Sequence, residues 1–306
     1  MKVAIIGRSE ILYNSALAVR DKGHDIVLII TAEKAPEYTR SPADFQALAD
    51  QWGIPCLKTS RIFEVKATIL SAQPDIGVSI NYSGIIPQEV IDLFPHGILN
   101  AHAGDLPRYR GNACPAWAII NGEERIGLCI HKMIGGELDC GDIIAREYMP
   151  ITINTKVTQT WEWMKEQVPV LFLKAIQRLE QDKDHILERQ SNNPKDALRC
   201  YPRKPEDGKI DWTQSAEAIL RLVNASNKPY AGAFCKYNEA TMIIWNAELV
   251  LDMENFLAVP GQVTKIDQGS IEVATGKGKL RILKVEFEDK INSPDIFVKS
   301  LRDRLK

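Results

Sequence analysis

The sequence predicts an α/β protein: a Rossmann-like, mostly parallel sheet followed by a small β-barrel. Over about the first 100 residues, β-branched segments alternate with amphipathic segments, a pattern typical of parallel strands joined by helices. In the last third, five short strand-like segments follow within about 55 residues, with Gly and Asn between them, which is typical of a small barrel. The 306 residues also suit about two domains of ordinary size.

The elements of the first part follow from hydrophobic periodicity. In chain order they are strand Lys2–Ile6, helix Glu10–Asp21, strand Asp25–Thr31, helix Pro42–Gln51, strand Ile54–Cys56, helix Ile62–Ala72, strand Asp75–Ile80, helix Pro87–Leu93 and strand Gly97–Asn100. A strand pair around Gly135-Gly136 and a long helix from about Lys156 to Gln181 complete this part. Pro169 should kink or interrupt that helix, because proline has no backbone N–H to donate.

The second part begins at a connector, Asn192-Asn193-Pro194, which divides the chain into domains 1–191 and 192–306. Its charged end, Phe297–Lys306, is predicted to be helical. Between them we expect one helix and five strands: Ser215–Ala225, Ala233–Tyr237, Thr241–Leu249, Gly261–Ile266, Ser270–Ala274 and Leu280–Val285.

Composition limits the classes of partner. The formal net charge is -2, so the chain has no strong overall field to hold nucleic acid or an anionic membrane. The chain opens on a strand pattern rather than a secretory signal, and no apolar run approaches the length of a membrane span. Six scattered cysteines, with no Cys-x-x-Cys pair, are typical of reduced thiols. We therefore expect a cytoplasmic protein with neither a membrane partner nor a nucleic-acid partner.

The most informative stretch follows the fifth predicted strand. Asn100 and His102 are separated by one residue, and in an extended chain this spacing turns both side chains to the same side. An amide donor and an imidazole facing one volume can stabilise a developing oxyanion and handle a proton. The same spacing also fits a polar loop that follows a buried strand, with His102 as a structural histidine. Spacing alone leaves both interpretations open.

Two further loops bear on chemistry. The loop Gly135–Asp142 contains Asp139, whose carboxylate could orient an imidazole or take an amine proton, although an ordinary Gly-rich hairpin has the same composition.

The first strand ends at Gly7 without the remaining glycines of a dinucleotide fingerprint. A nicotinamide oxidoreductase is therefore a distant alternative. No cluster has metal-ligand spacing, so we expect no metal.

These motifs together resemble the 10-formyltetrahydrofolate-dependent formyltransferase family. The resemblance rests on Asn100-x-His102, on the run from Leu106 to Gly111, and on Leu138-Asp139-x-Gly141-Asp142, which occur in the family's order. It extends into the second part through Pro229–Phe234 and Pro260–Val263, which resemble the family's OB-like C-terminal domain. It implies an enzyme with 10-formyltetrahydrofolate as co-substrate.

The resemblance also implies roles for particular residues. The family's catalytic Asn, His and Asp fall on Asn100, His102 and Asp139. Residues expected at the folate are Tyr82, Ser83, Gly84, Ile85, Ile86, Leu138 and Asp142. Residues expected at the acceptor are Arg8, Ser9, Asp105, Arg108, Tyr109 and Arg110. The arginines among them suit contacts with phosphate, although each fits a solvated or structural charge equally well.

The family formylates amines of more than one class. The tRNA branch usually has a basic insertion after the second strand, whereas the loop Glu33–Ser41 here is mixed in charge. Together with the near-neutral net charge of the chain, the mixed charge of this loop favours a nucleotide-linked (UDP or dTDP) amino sugar as acceptor, for bacterial surface glycan or lipopolysaccharide synthesis. The alternatives are a methionyl-tRNA formyltransferase and a non-catalytic nucleotide-sugar binding protein. The sequence leaves open the sugar, the formation of a homodimer and the role of the second domain.

Overall fold

The computed structural model describes residues 1–191, 193–251 and 254–306. Within these ranges the chain forms two compact units. The first comprises Met1–Cys114, Ile126–Met149 and Trp161–Tyr201, and the second comprises Pro115–Arg125, Pro150–Thr160 and Pro202–Lys306. The predicted domain boundary falls on Asn192, which lies outside the described residues, so the division into domains 1–191 and 192–306 stays a prediction.

Nine strands and six α-helices lie between residues 1 and 200 of the described chain, besides the short 3-10 helices Ile62–Val65 and Pro194–Asp196. The strands are β1 Lys2–Gly7, β2 Asp25–Thr31, β3 Cys56–Lys58, β4 Ile76–Ile80, β5 Ile98–His102, β6 Tyr109–Gly111, β7 Arg125–Lys132, β8 Ile143–Pro150 and β9 Leu198–Cys200. The helices are α1 Glu10–Asp21, α2 Pro42–Trp52, α3 Lys66–Ala72, α4 Gln88–Ile91, α5 Cys114–Asn121 and α6 Val157–Gln181. The helix α6 continues through Pro169 without the interruption that was one of the two expected effects, and a kink at this residue stays a prediction.

The main sheet has seven strands in the order β3-β2-β1-β4-β5-β7-β8. The strands β3, β2, β1, β4 and β5 are parallel to one another, and β7 is antiparallel to β5. The predicted fold class, a mostly parallel Rossmann-like sheet, is confirmed. Two short strands were not anticipated by the sequence pattern: β6 and β9 pair in parallel, with Gly111 opposite Cys200.

The apolar content of the strands explains this arrangement. All five residues of β4 and the last five of β1 are buried, as expected where helices cover both faces of a parallel sheet. The core on one side includes Ile6, Leu28 and Ile98, which are fully buried. A rigid, fully packed sheet of this kind holds the end of β5 in a fixed position.

The C-terminal part of the second unit, Pro202–Lys306, contains an antiparallel sheet and the amphipathic helix α7. Its elements are α7 Ala216–Ala225, β10 Ala233–Tyr237, β11 Ala240–Leu249, β12 Val263–Asp267, β13 Ser270–Ala274, β14 Lys279–Phe287 and β15 Lys290–Asn292. The strand order is β10-β11-β14-β13-β12, with β15 beside β14. The predicted second domain of short β-strands is therefore confirmed, and its sheet is antiparallel.

The chain end connects the two outer strands of this sheet. Lys306 and Lys236 exchange backbone hydrogen bonds of 2.8 and 2.6 Å, and the Leu305 N–H donates to the Gly261 carbonyl at 2.9 Å. The helix predicted for Phe297–Lys306 is therefore wrong: none of these residues is helical, and Leu305 is buried between exposed neighbours, the alternation of a strand. These bonds close the sheet into a ring, while its description as OB-like stays a prediction.

Within the described ranges, no helix combines the length and apolar character that crossing a membrane requires. The six cysteines are free thiols.

Candidate active site

Strand β5 delivers two polar side chains at its carboxyl end. Asn100 lies opposite Ser79 of β4 on one side and opposite His131 of β7 on the other. His102 ends the strand two residues later and is buried. Because residues two apart share a face of a strand, Asn100 and His102 can serve one site. The carboxyl edge of a parallel sheet is also where ligands usually bind in this architecture.

The loop between β7 and β8 holds Asp139 in place. Asp139 has a φ of 51°, a left-handed conformation that is uncommon for a residue other than glycine. The Gly111 N–H donates to Asp139 Oδ2 at 2.9 Å, and Gln190 Nε2 donates to the Asp139 carbonyl at 2.8 Å and to the Gly141 carbonyl at 2.7 Å. The strained residue is therefore held through both its side chain and its backbone.

One carboxylate lies between two imidazoles. Asp139 Oδ2 is 3.4 Å from His102 Nδ1, and Asp139 Oδ1 is 3.5 Å from His131 Nε2. The side chains of Asp139, His102 and His131 are 10%, 8% and 2% exposed. Asn100 Nδ2 lies 3.2 Å from His131 Nε2. The three side chains predicted to be catalytic thus come together, with His131 as a fourth member.

Electrostatics keeps Asp139 ionised. Burial by itself raises the pKa of this carboxyl, but the histidines in their protonated forms lower it more, His102 through its charge and His131 through a hydrogen bond and its charge. The bond from the Gly111 N–H acts in the same direction, and the net result is a pKa well below the usual range. A buried carboxylate that stays charged near neutrality can orient an imidazole or receive a proton.

The imidazole of His102 is held on its other side by the loop that follows β5. His102 Nε2 lies 2.6 Å from the carbonyl oxygen of Tyr109, and Cys114 Sγ lies 3.7 Å from the same nitrogen. A hydrogen bond with Cys200 and burial both raise the pKa of the Cys114 thiol. The thiol therefore stays protonated, and Cys114 fits the interpretation of a small buried side chain better than that of a nucleophile.

The segment predicted to hold the folate lies beyond β4. Ser83 lines a cavity of about 650 Å³ at the carboxyl ends of β1, β2 and β3. The Tyr82 hydroxyl donates to the Thr59 carbonyl at 2.9 Å, and burial raises its pKa to about 12, so it stays protonated. Gly84 has no room for a side chain, because a Cβ would lie 2.0 Å from the Ser60 carbonyl oxygen. Ile86 is buried in the core, whereas Ile85 is 80% exposed.

The Asp139 loop approaches this segment. The Gly135 N–H donates to Gln88 Oε1 at 2.8 Å. Leu138 is 40% exposed, and the Asp142 carbonyl accepts the Lys132 N–H at 2.9 Å. The two parts of the predicted folate site therefore lie beside each other in the first unit, and their roles in binding stay predictions.

The first two residues predicted at the acceptor lie at the end of β1. Arg8 donates to the carbonyl oxygens of Asn81 at 2.9 Å and Glu33 at 2.6 Å, and it lines the same cavity as Ser83. Ser9 is fully buried, and its Oγ has no hydrogen-bond partner among the described residues. The structure thus places Arg8 at this cavity and Ser9 in the interior.

The other four lie in the loop after His102 and have partners within the protein. Asp105 is paired with Arg146 at 2.5 Å. Arg108 lies over the ring of Tyr109, which is buried. Arg110 donates to Gln190 Oε1 at 2.9 Å. These contacts give the loop a fixed shape, and a role of the four residues in acceptor binding stays a prediction.

Sequence patterns did not identify two members of this network. His131 alternates with apolar residues, a pattern typical of an ordinary strand histidine, and the register that places it against Asn100 cannot be read from one strand. Gln190 is 51 residues from Asp139 in the chain, and no local pattern marks it. Nowhere in the three described ranges do three or more His, Cys, Asp or Glu side chains come together in an arrangement that could hold a metal ion.

Comparison with known families gives two matches. The family described as formyl transferase matches residues 1–176, and the formyl transferase C-terminal domain matches residues 203–300.

Curated relatives match almost the whole chain. The methionyl-tRNA formyltransferase of Citrifermentans bemidjiense is 29% identical over 301 residues, which is 96% of this chain and 91% of that protein. Seven further bacterial relatives with the same name are 26% to 30% identical over 94% to 95% of this chain.

Solved structures share the fold at low sequence identity. The N-formyltransferase from Helicobacter canadensis, in complex with folinic acid and dTDP-3-aminofucose, has a TM-score of 0.69 at 19% identity, over 92% of this chain and 99% of that one. HypX from Aquifex aeolicus, in complex with tetrahydrofolic acid, has a TM-score of 0.62 at 19% identity over 98% of this chain. The present chain spans about half (47%) of that HypX chain. At these identities the likeness concerns the fold alone.

Proposed function

The chain belongs to the formyl transferase family, and from that premise we propose that it transfers the formyl group of 10-formyltetrahydrofolate to the amino group of methionyl-tRNA. The observation that supports this acceptor best is the extent of the match to methionyl-tRNA formyltransferases. The alignment with the Citrifermentans bemidjiense protein covers 91% of that relative, so it includes both of the family's domains. The predictions of an enzyme and of a formyltransferase are confirmed by the family match.

The predicted acceptor, a nucleotide-linked amino sugar, is wrong. Eight relatives that match 94% to 96% of this chain are methionyl-tRNA formyltransferases, and the sugar formyltransferases match it only through the fold. The prediction relied on the near-zero net charge of the chain, but the net charge does not describe how charges are distributed on the surface. Binding the end of a tRNA needs only a local cationic surface. The expected absence of a nucleic-acid partner and the role in surface glycan synthesis depended on the same argument and are not retained.

In the proposed reaction Asn100 is the oxyanion donor. The α-amino group of methionine, in its neutral form, attacks the formyl carbon, and negative charge develops on the formyl oxygen. The Asn100 amide can donate to that oxygen, because its nitrogen has two hydrogens and only one faces His131. A fixed donor at this point stabilises the transition state more than the ground state.

His102 and Asp139 handle the proton. Bond formation between nitrogen and the formyl carbon makes the amine acidic, and its proton must leave before the intermediate collapses. The Asp139 carboxylate lies 3.4 Å from His102 Nδ1, so the pair can take this proton up and hold it. When the bond from the formyl carbon to the folate nitrogen breaks, the same proton can be returned to that nitrogen, which balances the reaction.

The donor fits the residues beside this site. Ile85 and Leu138 present exposed apolar side chains suited to a flat ring, and Tyr82, Ser83 and Gly84 offer backbone groups in a segment with little space for side chains. We infer that these residues, with Ile86 and Asp142, hold the folate. The cytoplasmic location predicted from the sequence remains a prediction.

An acceptor comparison tests the proposal. The protein is incubated with 10-formyltetrahydrofolate labelled in the formyl group and with methionyl-tRNA, free methionine or a dTDP-linked amino sugar. We expect label in methionyl-tRNA only, with a KM that rises with salt because phosphate contacts release counterions. Label in the amino sugar and none in methionyl-tRNA would overturn the proposal.

A further inference from the structure

His131 occupies a place that the proposed reaction does not yet use. It lies on β7 directly opposite Asn100 of β5, and its side chain is 2% exposed. A histidine buried this completely must satisfy both ring nitrogens within the protein. Its partners therefore report which nitrogen has the hydrogen.

One ring nitrogen is assigned by a backbone group. His131 Nδ1 lies 3.0 Å from the carbonyl oxygen of Lys132. A carbonyl can only accept, so Nδ1 has the hydrogen. In the neutral ring Nε2 is then a lone-pair acceptor, and the group facing it at 3.2 Å is the amide nitrogen of Asn100.

This contact determines how the Asn100 amide is turned. An asparagine amide can present either its nitrogen or its oxygen in one direction, and the two orientations are nearly equal in shape. A lone pair on His131 Nε2 accepts from the nitrogen and repels the oxygen. The neutral ring therefore selects the orientation in which Asn100 keeps a second N–H of the same group for the reacting oxygen.

We propose that His131 is a positioning residue for formyl transfer, which acts by fixing the orientation of the Asn100 amide. The inference rests on the proposed function, in which Asn100 donates to the developing oxyanion. With the amide reversed, Asn100 would present an oxygen to that negative charge, and stabilisation would become repulsion.

The groups around His131 show which protonation state of its ring keeps the Asn100 amide in this orientation. Asp139 Oδ1 lies 3.5 Å from Nε2, and the His102 ring lies 6.4 Å away between ring centroids. A protonated His131 would donate from Nε2 to Asp139 and would no longer accept from Asn100. The neutral ring is thus the form that positions the amide.

Two substitutions separate this role from a purely structural one. Gln in place of His131 puts an amide near the position of Nε2, whereas Asn puts one near Nδ1. If His131 acts through Asn100, His131→Gln should keep most of kcat, and His131→Asn should lose roughly tenfold or more, up to the hundredfold to thousandfold typical of a lost oxyanion donor. KM for methionyl-tRNA should stay near the wild-type value in both. If the Lys132 contact alone matters, the order of the two variants reverses, which would overturn the inference.

A double-substitution cycle sharpens the result. His131→Asn should add almost no further loss to Asn100→Ala, because both remove the same hydrogen bond to the transition state. A double variant whose loss of kcat equals the product of the two single losses would contradict the inference. His185→Asn, a partly exposed histidine that contacts Arg178, is the matched control and should leave kcat unchanged. Thermal unfolding of each variant verifies that it is folded.

A spectroscopic measurement keeps this inference separate from the choice of acceptor. In the free protein labelled with ¹⁵N-histidine, the neutral His131 ring should show a protonated Nδ1 and an unprotonated Nε2, whose shift changes in Asn100→Ala. The opposite tautomer, or a ring protonated at both nitrogens, overturns the inference whatever the acceptor is. If the tautomer is as expected but the wild type does not formylate methionyl-tRNA, the proposed function fails while the His131–Asn100 hydrogen bond stands.

Discussion

His102 Nε2 lies 2.6 Å from the carbonyl oxygen of Tyr109. Since a carbonyl only accepts, Nε2 has a hydrogen, and the other ring nitrogen is the one that faces Asp139. The ring is thus held at Nε2 by the loop after β5, and a proton taken up at Nδ1 would be shared with Asp139 in the loop after β7. Its orientation is a property of the folded chain before any substrate binds, which is the preorganisation that proton transfer requires.

Gly104, which has no side chain, leaves the space in which His102 Nε2 contacts the Tyr109 carbonyl oxygen. A Cβ at Gly104 would lie 2.2 Å from the Tyr109 carbonyl oxygen and 2.4 Å from His102 Nε2, distances that neither backbone nor ring can accept without moving. We expect Gly104→Ala to lower kcat roughly tenfold or more, because small displacements of a proton-transfer group are costly. Steady-state kinetics measures the effect. Gly97→Asn, at an open position with φ 75° just before the same strand, is the control; equal activity of the two variants would contradict the role of the contact.

Asp139→Asn should keep the fold and lower kcat at least about a hundredfold, since an amide cannot receive the proton. The sign of its pH dependence follows from the depressed pKa of Asp139. A carboxyl whose folded pKa is lowered stabilises the fold above its unfolded pKa, and this contribution is lost as the pH falls towards the folded value. Urea unfolding should therefore give a constant wild-type-minus-variant difference between pH 5 and pH 8, which shrinks below about pH 4. A difference that already shrinks near pH 6 would count against this assignment.

Gln190 is the backbone support of Asp139. Its amide nitrogen serves two carbonyl oxygens, and its oxygen accepts from Arg110. Gln190→Leu removes all three of these hydrogen bonds, so we expect a loss of about 1–3 kcal/mol in the free energy of unfolding and a lower kcat. Gln190→Glu keeps only the acceptor for Arg110. Its free energy of unfolding and its kcat should therefore lie between those of the wild type and those of Gln190→Leu. Chemical unfolding and kinetics on the same samples test this; wild-type values for Gln190→Leu would show that the Asp139 loop needs no such support.

Leu305 anchors the chain end in the second unit. Its side chain is 2% exposed, and the backbone on either side of it closes the antiparallel sheet. Leu305→Ala should cost about 2–5 kcal/mol of unfolding free energy, as for other buried leucines. Leu301→Ala is the matched control, because Leu301 is 52% exposed. Calorimetry that gives the same midpoint for both variants would rule out the anchoring role.

Local patterns predicted the elements that form the site. Alternation and apolar runs located β1, β2, β4 and β5, because a parallel strand covered on both faces leaves a continuous apolar signal. Asn100, His102 and Asp139 could be named because they lie in distinctive motifs. Their convergence could not be derived from spacing, because it depends on the antiparallel register of β7 against β5.

Other features were beyond a single sequence for physical reasons. The contact of His131 with Asn100 and that of Gln190 with the Asp139 backbone link distant parts of the chain, so neither leaves a local signal. The end of the chain was predicted to be helical from its charges, although its last residues pair as a strand. The acceptor was misassigned because net charge sums over the whole surface, whereas recognition depends on local charge.

The central claim is that Asn100, His102 and Asp139 transfer a formyl group to methionyl-tRNA. The most direct measurement is a single-turnover reaction of the protein with labelled 10-formyltetrahydrofolate and methionyl-tRNA, run in parallel for the wild type and for Asn100→Ala. We predict formation of N-formylmethionyl-tRNA by the wild type, and a rate lower by about a hundredfold to a thousandfold in Asn100→Ala with folate binding retained. A wild type that leaves methionyl-tRNA unmodified, or an Asn100→Ala variant as fast as the wild type, would contradict the claim.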